Sequence, residues 1–505
     1  MYIVTAQEMY DIEKHAMEEI GLSSTVLMAN AGRAISHEIQ QLAGKADKIL
    51  VLIGPGNNGG DGFVIAMTLL HAGYCVTAVQ AAADDRVKGD ALHYKDVYLN
   101  SGGRMIQPAD PETIRHAVHD ANLIVDALLG IGSTGEVKEP IAWLIQEINQ
   151  AACPVAAVDI PSGLPADEGF MPVLAVKADY TFMLGACKMS AFVPETASYY
   201  GEWKLLEIGL PPVSLERHGT RQLTQASQVK DALPERSPFS HKGTYGKCLI
   251  IGGSRTMPGS VAMSARAALR TGAGLAVVGT AKDAIPVIAA SCLEATYAEI
   301  RDEDGLLVSD PHLELEGYRA IAIGPGLGRH SETARLVRQV FREAACPLVM
   351  DADALYHGKS LLQEASRRPA LTVITPHPGE MGMLLDLPAA EVIKSPFSIS
   401  RQYAEQTGAY VILKGKHTII TSPDGRQYVN TTGNPGMAKG GSGDVLTGIV
   451  LTQVMQQPDP LEALAVACFL HGKSADLLIE KTHSARDLLA SDTADGLSLV
   501  YRHFL

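Results

Sequence analysis

Short apolar runs that alternate with helix-like segments constrain the fold of this 505-residue chain more than any other feature. In the first part of the chain the runs are KILVLIG (48–54), CVTAVQA (75–81), LIVDALLG (123–130) and PVAAVDI (154–160). Segments such as DGFVIAMTLLHAGY and PIAWLIQEINQA separate them. Buried parallel strands read as continuous Val, Ile and Leu runs, and they are joined by helical crossovers. The pattern therefore predicts βαβ units around a mostly parallel sheet.

The same pattern restarts after a polar, proline-containing stretch between Gly209 and Ser240. The later runs are KCLIIGG (247–253), GLAVVGT (274–280), AIAIGPG (320–326), PLVMDAD (347–353), LTVITPH (371–377) and AYVILKG (409–415). We predict two α/β domains, residues 1–215 and 236–505, joined by a linker of residues 216–235. Since ligands bind beyond the carboxyl ends of parallel strands, each domain is expected to carry its own site there.

Composition excludes several classes of function. The formal net charge of −14 argues against general binding to nucleic acid or to an anionic membrane. No window offers about 18 uninterrupted apolar residues, as a membrane span requires. The acidic first turns do not fit a targeting peptide, and the seven cysteines form no C-x-x-C pair. We expect a cytoplasmic protein with reduced thiols.

The stretch NPGMAKGGSGDVLTG (434–448) gives the most specific chemical signal. Gly440, Gly441 and Gly443 precede a helix-like run, and backbone N–H groups at a helix start bind phosphate. Asp444 then places a carboxylate beside this site. If a phosphoryl group is transferred to a hydroxyl, a carboxylate can orient that hydroxyl and accept its proton. The alternative is that Asp444 only caps the helix.

Other strand ends add groups that suit a nucleotide. LKGKHTII places Lys414, Lys416 and His417 just after a strand, although a basic hairpin turn is the favoured explanation of these residues taken alone. His377 lies between two prolines in TPHPGEMG, and GPGLG (324–328) allows close approach of a ligand to the backbone. Asp351 and Asp353 are either ligands of magnesium or water, or turn-forming carboxylates.

In the first domain, VLIGPGNNGGDGFVIA (51–66) is interpreted as a strand, a glycine-rich loop and a helix that match no standard dinucleotide or triphosphate motif. Two further strand ends, VDALLGIGSTG and VDIPSGLPAD, carry more oxygen ligands. We predict that Asn58, Asp126 and Ser162 converge on a weakly held hard cation, and that Asp159 serves as an acid or base. Turn formation is the alternative for each residue taken alone.

The ordered motifs of residues 236–505, from HKGTYGKCLIIGG through GPGLG, DADAL, TPHPGEMG and LKGKHTII to GMAKGGSGDVLTGI, resemble the NAD(P)H-hydrate dehydratases. The resemblance implies a ribokinase-like α/β fold and the dehydration of the (S) form of hydrated NADH or NADPH, coupled to nucleotide hydrolysis. The fused layout implies ADP with Mg²⁺, with ATP as the other donor. Matched by motif, the hydrate would bind at Gly326, His377 and the catalytic Asp444. The nucleotide would bind at Lys414, Gly415, Lys416, His417, Thr418, Asn434, Gly440, Gly441, Ser442 and Gly443.

The motifs of residues 1–215, together with LMANAGRA (27–34), resemble the NAD(P)H-hydrate epimerases, which have a Rossmann-like three-layer fold and interconvert the (R) and (S) hydrates. The resemblance implies that Asn58, Asp126 and Ser162 bind K⁺ and that Asp159 is the catalytic acid–base residue. Ala29 stands where the family commonly has Glu. The implied hydrate contacts are Asn57, Asn58, Gly59, Gly60, Asp61, Gly130, Ile131, Gly132, Ser133, Thr134, Gly135, Glu136 and Asp159.

Together the two resemblances imply a homo-oligomeric repair enzyme that acts on small molecules, namely NADH and NADPH hydrates with ADP or ATP, and that binds neither nucleic acid nor membrane. Two alternatives stay open. The C-terminal domain could be a small-molecule kinase for a vitamin or sugar hydroxyl, which would release a stable phosphorylated product. The N-terminal domain could be a binding module without turnover.

Overall fold

The computed structural model describes residues 1–107, 110–133, 135–169 and 174–504. The chain folds into two compact units, Met1–Thr220 and Arg221–Leu505. Both are α/β units, as the alternating pattern predicts. None of the helices in the described ranges is long and apolar enough to cross a membrane.

The N-terminal unit is built on a parallel sheet with the strand order β4-β3-β2-β5-β6-β7-β9, and β1 pairs with β8 beside it. Its strands are β1 (Tyr2–Val4), β2 (Lys48–Ile53), β3 (Cys75–Gln80), β4 (Arg104–Ile106), β5 (Leu123–Ala127), β6 (Val155–Val158), β7 (Tyr180–Leu184), β8 (Cys187–Lys188) and β9 (Glu202–Leu206). Its helices are α1 (Ala6–Lys14), α2 (Ser24–Leu42), α3 (Asn57–His71), α4 (Gly89–Asn100), α5 (Pro111–Asp120), α6 (Ile141–Gln150), α7 (Pro194–Ala197) and α8 (Pro212–His218).

The sheet of the N-terminal unit is buried on both faces, which explains its continuous apolar strands. On β2, Ile49 and Val51 belong to a core that includes Phe63 of α3. Leu50, the residue between them, belongs to a second core with Ile145 of α6 on the opposite face. Successive strand residues point to opposite faces of the sheet. The result is the predicted three-layer arrangement of helices, sheet and helices.

The C-terminal unit has the strand order β13-β12-β11-β16-β17-β18-β19-β20-β21-β10. Pairing is parallel from β13 to β19, antiparallel for β19-β20 and β20-β21, and parallel again for β21-β10. The strands are β10 (Arg221–Leu223), β11 (Lys247–Ile251), β12 (Leu275–Thr280), β13 (Thr296–Glu299), β14 (Asp302–Glu303), β15 (Leu306–Leu307), β16 (Ala320–Ile323), β17 (Leu348–Met350), β18 (Thr372–Ile374), β19 (Tyr410–Leu413), β20 (Thr418–Thr421) and β21 (Gln427–Asn430). Strands β14 and β15 form a separate hairpin.

The helices of the C-terminal unit cover this sheet. They are α9 (Ala226–Ala232), α10 (Pro258–Thr271), α11 (Ile285–Ala289), α12 (Ser331–Glu343), α13 (Asp353–Gly358), α14 (Pro378–Leu385), α15 (Ala389–Lys394), α16 (Pro396–Thr407), α17 (Ser442–Gln456), α18 (Pro460–Lys481) and α19 (Ala490–Phe504). The segment 216–235, predicted as a linker, contains the end of α8, the strand β10 and the helix α9. These elements are short, and their sequence shows no sustained apolar period.

Strand order locates the ligand crevices. In the N-terminal unit the chain runs outward from β2 through β3 to β4, and then continues on the other side of β2 with β5. In the C-terminal unit the corresponding reversal lies between β11 and β16. At such a reversal the loops after adjacent strands diverge and leave a crevice at the carboxyl ends of the strands. The motif-bearing loops after β2, β5 and β16 begin at these two places.

Two candidate active sites

In the N-terminal unit a cavity of about 550 Å³ opens at the carboxyl ends of β2, β5 and β6. Of the residues predicted to contact the hydrate, it is lined by Asn57, Asn58, Asp61, Gly130, Ile131, Gly132, Ser133 and Asp159. Gly59, Gly60, Gly135 and Glu136 do not line it, and Thr134 lies outside the described residues. Met28, Leu27 and Ala31 of α2 supply an apolar wall.

The glycine-rich segment of this unit differs from the expected loop. Helix α3 begins at Asn57, so Gly59, Gly60 and Gly62 lie inside its first turns. A Cβ at Gly59 would lie 1.9 Å from the carbonyl oxygen of Gly54, and one at Gly62 would lie 2.8 Å from Cβ of Ala127. These glycines therefore let the helix start pack directly on the turn after β2 and on β5. Close packing, and not loop flexibility, is the reason for this composition.

Hydrogen bonds connect the three residues predicted as cation ligands, with Asn58 joined to the others through the carbonyl oxygen of Leu129. Ser162 Oγ donates to Asp126 Oδ1 at 2.6 Å, and the backbone N–H of Ser162 donates to Asp126 Oδ2 at 2.8 Å. Ser162 Oγ also lies 3.3 Å from the carbonyl oxygen of Leu129, to which Asn58 Nδ2 donates at 3.0 Å. Burial raises the pKa of Asp126 to about 6, against hydrogen bonds from Ser162 and Leu128. The set offers several neutral oxygens and one carboxylate.

Asp159 lies beside the same cavity in a left-handed backbone conformation, with φ of 66°. Its Oδ1 accepts hydrogen bonds from the N–H of Leu184 at 2.9 Å and from the ammonium of Lys188. Lys188 is only 1% exposed and also donates to the carbonyl oxygens of Leu184 and Ala186, at 2.9 and 3.0 Å. All three protons of this ammonium are thus bound within the protein. No motif in the sequence pointed to Lys188.

Three more carboxyl groups line the cavity, those of Glu13, Asp61 and Asp90. Burial raises the pKa of Asp61 well above its usual value, and the charges of Asp159 and Glu13 act in the same direction. Burial also raises the pKa of Glu13 on α1, although Lys188 opposes this effect. Glu13 was not anticipated from the sequence, because it belongs to an ordinary amphipathic helix. That helix starts with a capping box, in which Thr5 and Glu8 bond reciprocally at 3.1 and 2.8 Å.

In the C-terminal unit a pocket of about 890 Å³ collects most of the predicted nucleotide residues. It is lined by Lys414, Gly415, Lys416, Thr418, Asn434, Gly440, Ser442 and Gly443, and also by His377. His417 and Gly441 are absent from the described lining. Gly441 is instead the residue before α17, with φ of 95°, and turns the chain into the helix. The first N–H groups of α17 lack intrahelical acceptors, as in phosphate-binding helix starts.

Asp444 lies in the first turn of α17. Burial and the neighbouring Asp351 raise its pKa to about 6, against a hydrogen bond from Ser260 and the charge of Lys414. Gly326, with φ of 64°, packs close to Ser260, because a Cβ there would lie 3.2 Å from Cβ of Ser260. The structure thus brings Gly326 and Asp444 to the same serine. A carboxyl group that titrates near neutral pH can exchange protons with a substrate.

Asp351, which follows β17, is an ion-pair partner and hydrogen-bond acceptor. Lys414 Nζ lies 3.1 Å from its Oδ1, and Thr447 Oγ1 of α17 donates to its Oδ2 at 2.8 Å. Burial acts to raise the pKa of Asp351, but Lys414, Thr375 and Thr447 outweigh it and hold the pKa below its usual value. Asp353 instead accepts from Arg329 and from the N–H of Gly328. Lys414 is therefore fixed at the pocket by a buried counter-charge.

His377 has a role at a helix start. Its Nδ1 accepts from the N–H groups of Gly379 and Glu380, at 3.0 and 3.3 Å, and the carboxylate of Glu380 accepts from the N–H of His377. This arrangement caps α14. The imidazole ring of His377 is more than half exposed at the pocket, and its Nε2 lies 3.5 Å from Glu380 Oε1. His471 of α18 also lines this pocket, and burial lowers its pKa to about 4.

Comparison with known proteins agrees with the division of the chain into two units. The family described as NAD(P)H-hydrate dehydratase matches residues 248–495, and the family described as YjeF-related protein N-terminus matches residues 24–190. Fold, sites and matches together define the class as a two-domain α/β enzyme with a dehydratase-type C-terminal unit.

Full-length relatives make the assignment more specific. The bifunctional NAD(P)H-hydrate repair enzymes of Moorella thermoacetica and Escherichia coli are 35% and 34% identical to this chain. The alignments cover 100% and 97% of this chain and 97% and 92% of those proteins. The chain belongs to the family of bifunctional NAD(P)H-hydrate repair enzymes.

Among solved structures, an ADP/ATP-dependent NAD(P)H-hydrate dehydratase from Bacillus subtilis, co-crystallised with ATP/Mg²⁺, is 37% identical to this chain. The match covers 56% of this chain and 99% of that protein, with a TM-score of 0.49.

Proposed function

We propose that this protein repairs hydrated NADH and NADPH with two activities in one chain. The N-terminal unit epimerises the (R) and (S) hydrates, and the C-terminal unit dehydrates the (S) form, coupled to hydrolysis of ADP to AMP and phosphate. The observation that carries the proposal is that Lys414, Gly440, Ser442 and Gly443 line one pocket while Asp444 directly follows Gly443 in the first turn of α17. The C-terminal unit therefore holds anion-binding groups and a proton acceptor next to each other.

In the dehydratase reaction, Asp444 accepts the proton of the hydrate's hydroxyl while the phosphoryl group is transferred to that oxygen. The N–H groups at the start of α17 and the ammonium of Lys414 stabilise the negative charge on the transferring group. Phosphate then leaves in place of hydroxide with the electron pair of the C–O bond, and the ring nitrogen supplies the electrons for an iminium ion. Loss of a proton from the neighbouring ring carbon to the departing phosphate then restores the double bond of the nicotinamide ring. Hydroxide is a poor leaving group, whereas phosphate is a good one, so the nucleotide supplies the driving force. Gly326 and His377 would bind the hydrate beside Asp444.

Mg²⁺ would accompany the nucleotide phosphates and neutralise part of their charge. K⁺ would bind in the N-terminal unit at Asn58, Asp126 and Ser162. These residues fit a monovalent cation, because Asp126 is the one carboxylate among neutral amide, hydroxyl and carbonyl oxygens. The cation would orient the hydrate, and Asp159 would exchange the proton.

The small-molecule kinase differs from this proposal in its product. Both reactions use a phosphate-binding helix start with a carboxylate, so the pocket alone favours neither. Family membership over both units favours repair, because epimerisation supplies the epimer that the dehydratase consumes. The alternative of a non-catalytic N-terminal unit is disfavoured by its cavity, which is lined by four carboxyl groups, one of them paired with the buried ammonium of Lys188.

The test uses the purified full-length protein with a mixed (R)/(S) NADH hydrate, Mg²⁺, K⁺ and either ADP or ATP. Rapid return of the reduced-nicotinamide absorbance for the whole mixture supports both activities, and the faster nucleotide identifies the donor. Recovery of the (S) fraction alone contradicts the epimerase assignment. A stable phosphorylated product without NADH supports the kinase. Mass measurement of the same sample tests the proposed homo-oligomer.

A further inference from the structure

Epimerisation at the hydroxylated ring carbon needs proton transfer on both faces of the ring. The hydroxyl leaves from one face as water, and the new water molecule adds to the other face. A single carboxyl group held in one position cannot serve both faces. The N-terminal cavity must therefore supply a second proton-transfer group in addition to Asp159, if the proposed function of this unit is correct.

Asp159 forms an ion pair with the buried Lys188. Both of its hydrogen bonds, from Leu184 N–H and the Lys188 ammonium, are made by Oδ1. Lys188 supplies the compensating positive charge, and its remaining protons are bound by the carbonyl oxygens of Leu184 and Ala186. Asp159 thus keeps Oδ2 for a proton, and Lys188 cannot itself donate to the substrate. This geometry suits a general base.

Glu13 has the complementary properties. It lies on α1 and lines the cavity, but its carboxyl group makes no hydrogen bond to any residue that the structure describes. The charges of Asp159, Lys188 and Asp61 lie close enough to interact with that of Glu13. Tyr10 and Asp90 also line the cavity. A partly buried carboxyl group among other carboxyl groups favours its protonated form. Glu13 can therefore carry the proton that Asp159 lacks.

We propose that Glu13 is a second catalytic residue of the epimerase site and acts as general acid opposite Asp159. In one direction, the carboxyl proton of Glu13 passes to the departing hydroxyl, and the C–O bond breaks. The ring nitrogen supplies the electron pair, so an iminium ion and water are formed. Water then forms a new C–O bond on the other face and gives its proton to the carboxylate of Asp159. The reverse reaction uses the same groups with their roles exchanged. After a net turnover in one direction, Asp159 releases its proton to solvent water and Glu13 takes one up, which restores both protonation states.

The proposal rests on the proposed function, and the experiment separates the two. Epimerisation of a pure (R) hydrate is followed by NMR without nucleotide, after subtraction of the spontaneous rate. The Glu13→Gln variant is expected to epimerise at least about 100-fold more slowly than the wild type, as for loss of a general acid. It should also lose the fall in rate at high pH that the wild type shows, since glutamine does not titrate. Glu13→Asp should recover part of the rate.

The controls use the same protein. Dehydration of the (S) hydrate by the C-terminal unit should be unchanged in Glu13→Gln, and its thermal unfolding should match that of the wild type, which together show that both units are folded. Glu18→Gln alters an exposed carboxylate just after α1 that pairs with Lys14, and it should keep the wild-type epimerisation rate. If the wild type does not epimerise, the proposed function of this unit fails. If the wild type epimerises and Glu13→Gln keeps both its rate and its pH profile, the role of Glu13 is wrong. Loss in Asp61→Asn with an unaffected Glu13→Gln would assign the second group to Asp61 instead.

Discussion

At the scale of single residues, Asp444 links burial to chemistry. Its carboxyl group has a pKa of about 6, raised by burial and by the nearby Asp351. Only the deprotonated form can accept the substrate proton. We therefore expect kcat/KM of the dehydratase to rise with pH through about 6 and then to level off. Measurement between pH 5 and 8 checks this, and a profile that is flat across this range would contradict it.

Replacement of the same residue tests its role directly. Asp444→Asn keeps the size of the side chain and removes the base, so dehydration should fall by about 100-fold or more. Nucleotide affinity should change little, because Lys414 and the loop Gly440–Gly443 remain. Single-turnover kinetics and calorimetric titration with ADP separate these effects. Equal loss of binding and turnover would indicate a structural role as helix cap.

His471 couples the C-terminal unit to pH through stability. Its pKa of about 4 in the folded protein lies below the ordinary value of 6.5, so the unfolded chain binds a proton first as the pH falls. This contribution is present above pH 6.5 and is lost as the pH falls towards 4. We therefore expect the free energy of unfolding to fall by about 2 kcal/mol between pH 7 and pH 5.

The variant His471→Asn isolates this contribution, because asparagine does not titrate. When the pH falls from 7 to 5, the unfolding temperature of the wild type should decrease by more than that of the variant. Tyr403→Phe serves as the matched control, since it removes another buried group without a hydrogen-bond partner that does not titrate in this range. A constant wild-type-to-variant difference at both pH values would mean that His471 is not buried as described.

At the scale of elements, the start of α17 depends on two glycines with different requirements. A Cβ at Gly443 would lie 3.4 Å from Lys414 Nζ and 3.7 Å from Asp351 Oδ2, which are ordinary contact distances. At Gly441 the backbone φ is 95°, and a Cβ would lie 2.7 Å from Cε of Met263. Gly443 gives a ligand access to the pocket, whereas Gly441 allows the chain to turn.

Substitution of these two glycines by alanine should therefore have different effects. Gly443→Ala should fold as well as the wild type, since alanine is favoured in helices by about 1 kcal/mol, but should bind ADP more weakly. Gly441→Ala should lower the unfolding temperature, because alanine is strained at positive φ. Thermal unfolding and ADP titration of both variants check this. A stable Gly441→Ala protein with normal affinity would contradict the assignment of the turn.

Elements also show how far sequence reasoning reaches. The apolar runs located β2, β3, β5, β11, β12 and β16 to within a few residues. A short, continuous apolar run between helix-like segments is typical of a buried parallel strand. The glycine-rich segment before Asp61 is predicted as a loop, since glycine composition does not distinguish flexibility from close packing against Gly54 and Ala127. Elements β10 and α9 were missed because they are short. Glu13, Lys188 and His471 belong to no motif, and only the fold brings them to the cavities.

At the scale of the whole molecule, each site is made by one compact unit, and the intermediate between them is a small molecule that can diffuse. Asp159→Asn should therefore repair the (S) fraction of a mixed hydrate quickly, and Asp444→Asn should repair none. A mixture of the two variant proteins should recover the whole substrate at a rate that rises with enzyme concentration. If the mixture recovers no more than Asp159→Asn alone, both sites must act within one chain.

The parallel pairing of β10 with β21 has a consequence for how the protein is made. Arg221 lies opposite Gln427 and Leu223 opposite Val429, so a strand near the start of the C-terminal unit pairs with one made about two hundred residues later. During translation the N-terminal unit emerges complete long before this partner exists. Contacts between residues so distant in sequence form slowly, and a strand without its partner exposes unpaired backbone groups. A nascent chain that stalls before residue 427 would present β10 without this neighbour, which makes the C-terminal unit the part of the protein most dependent on uninterrupted synthesis.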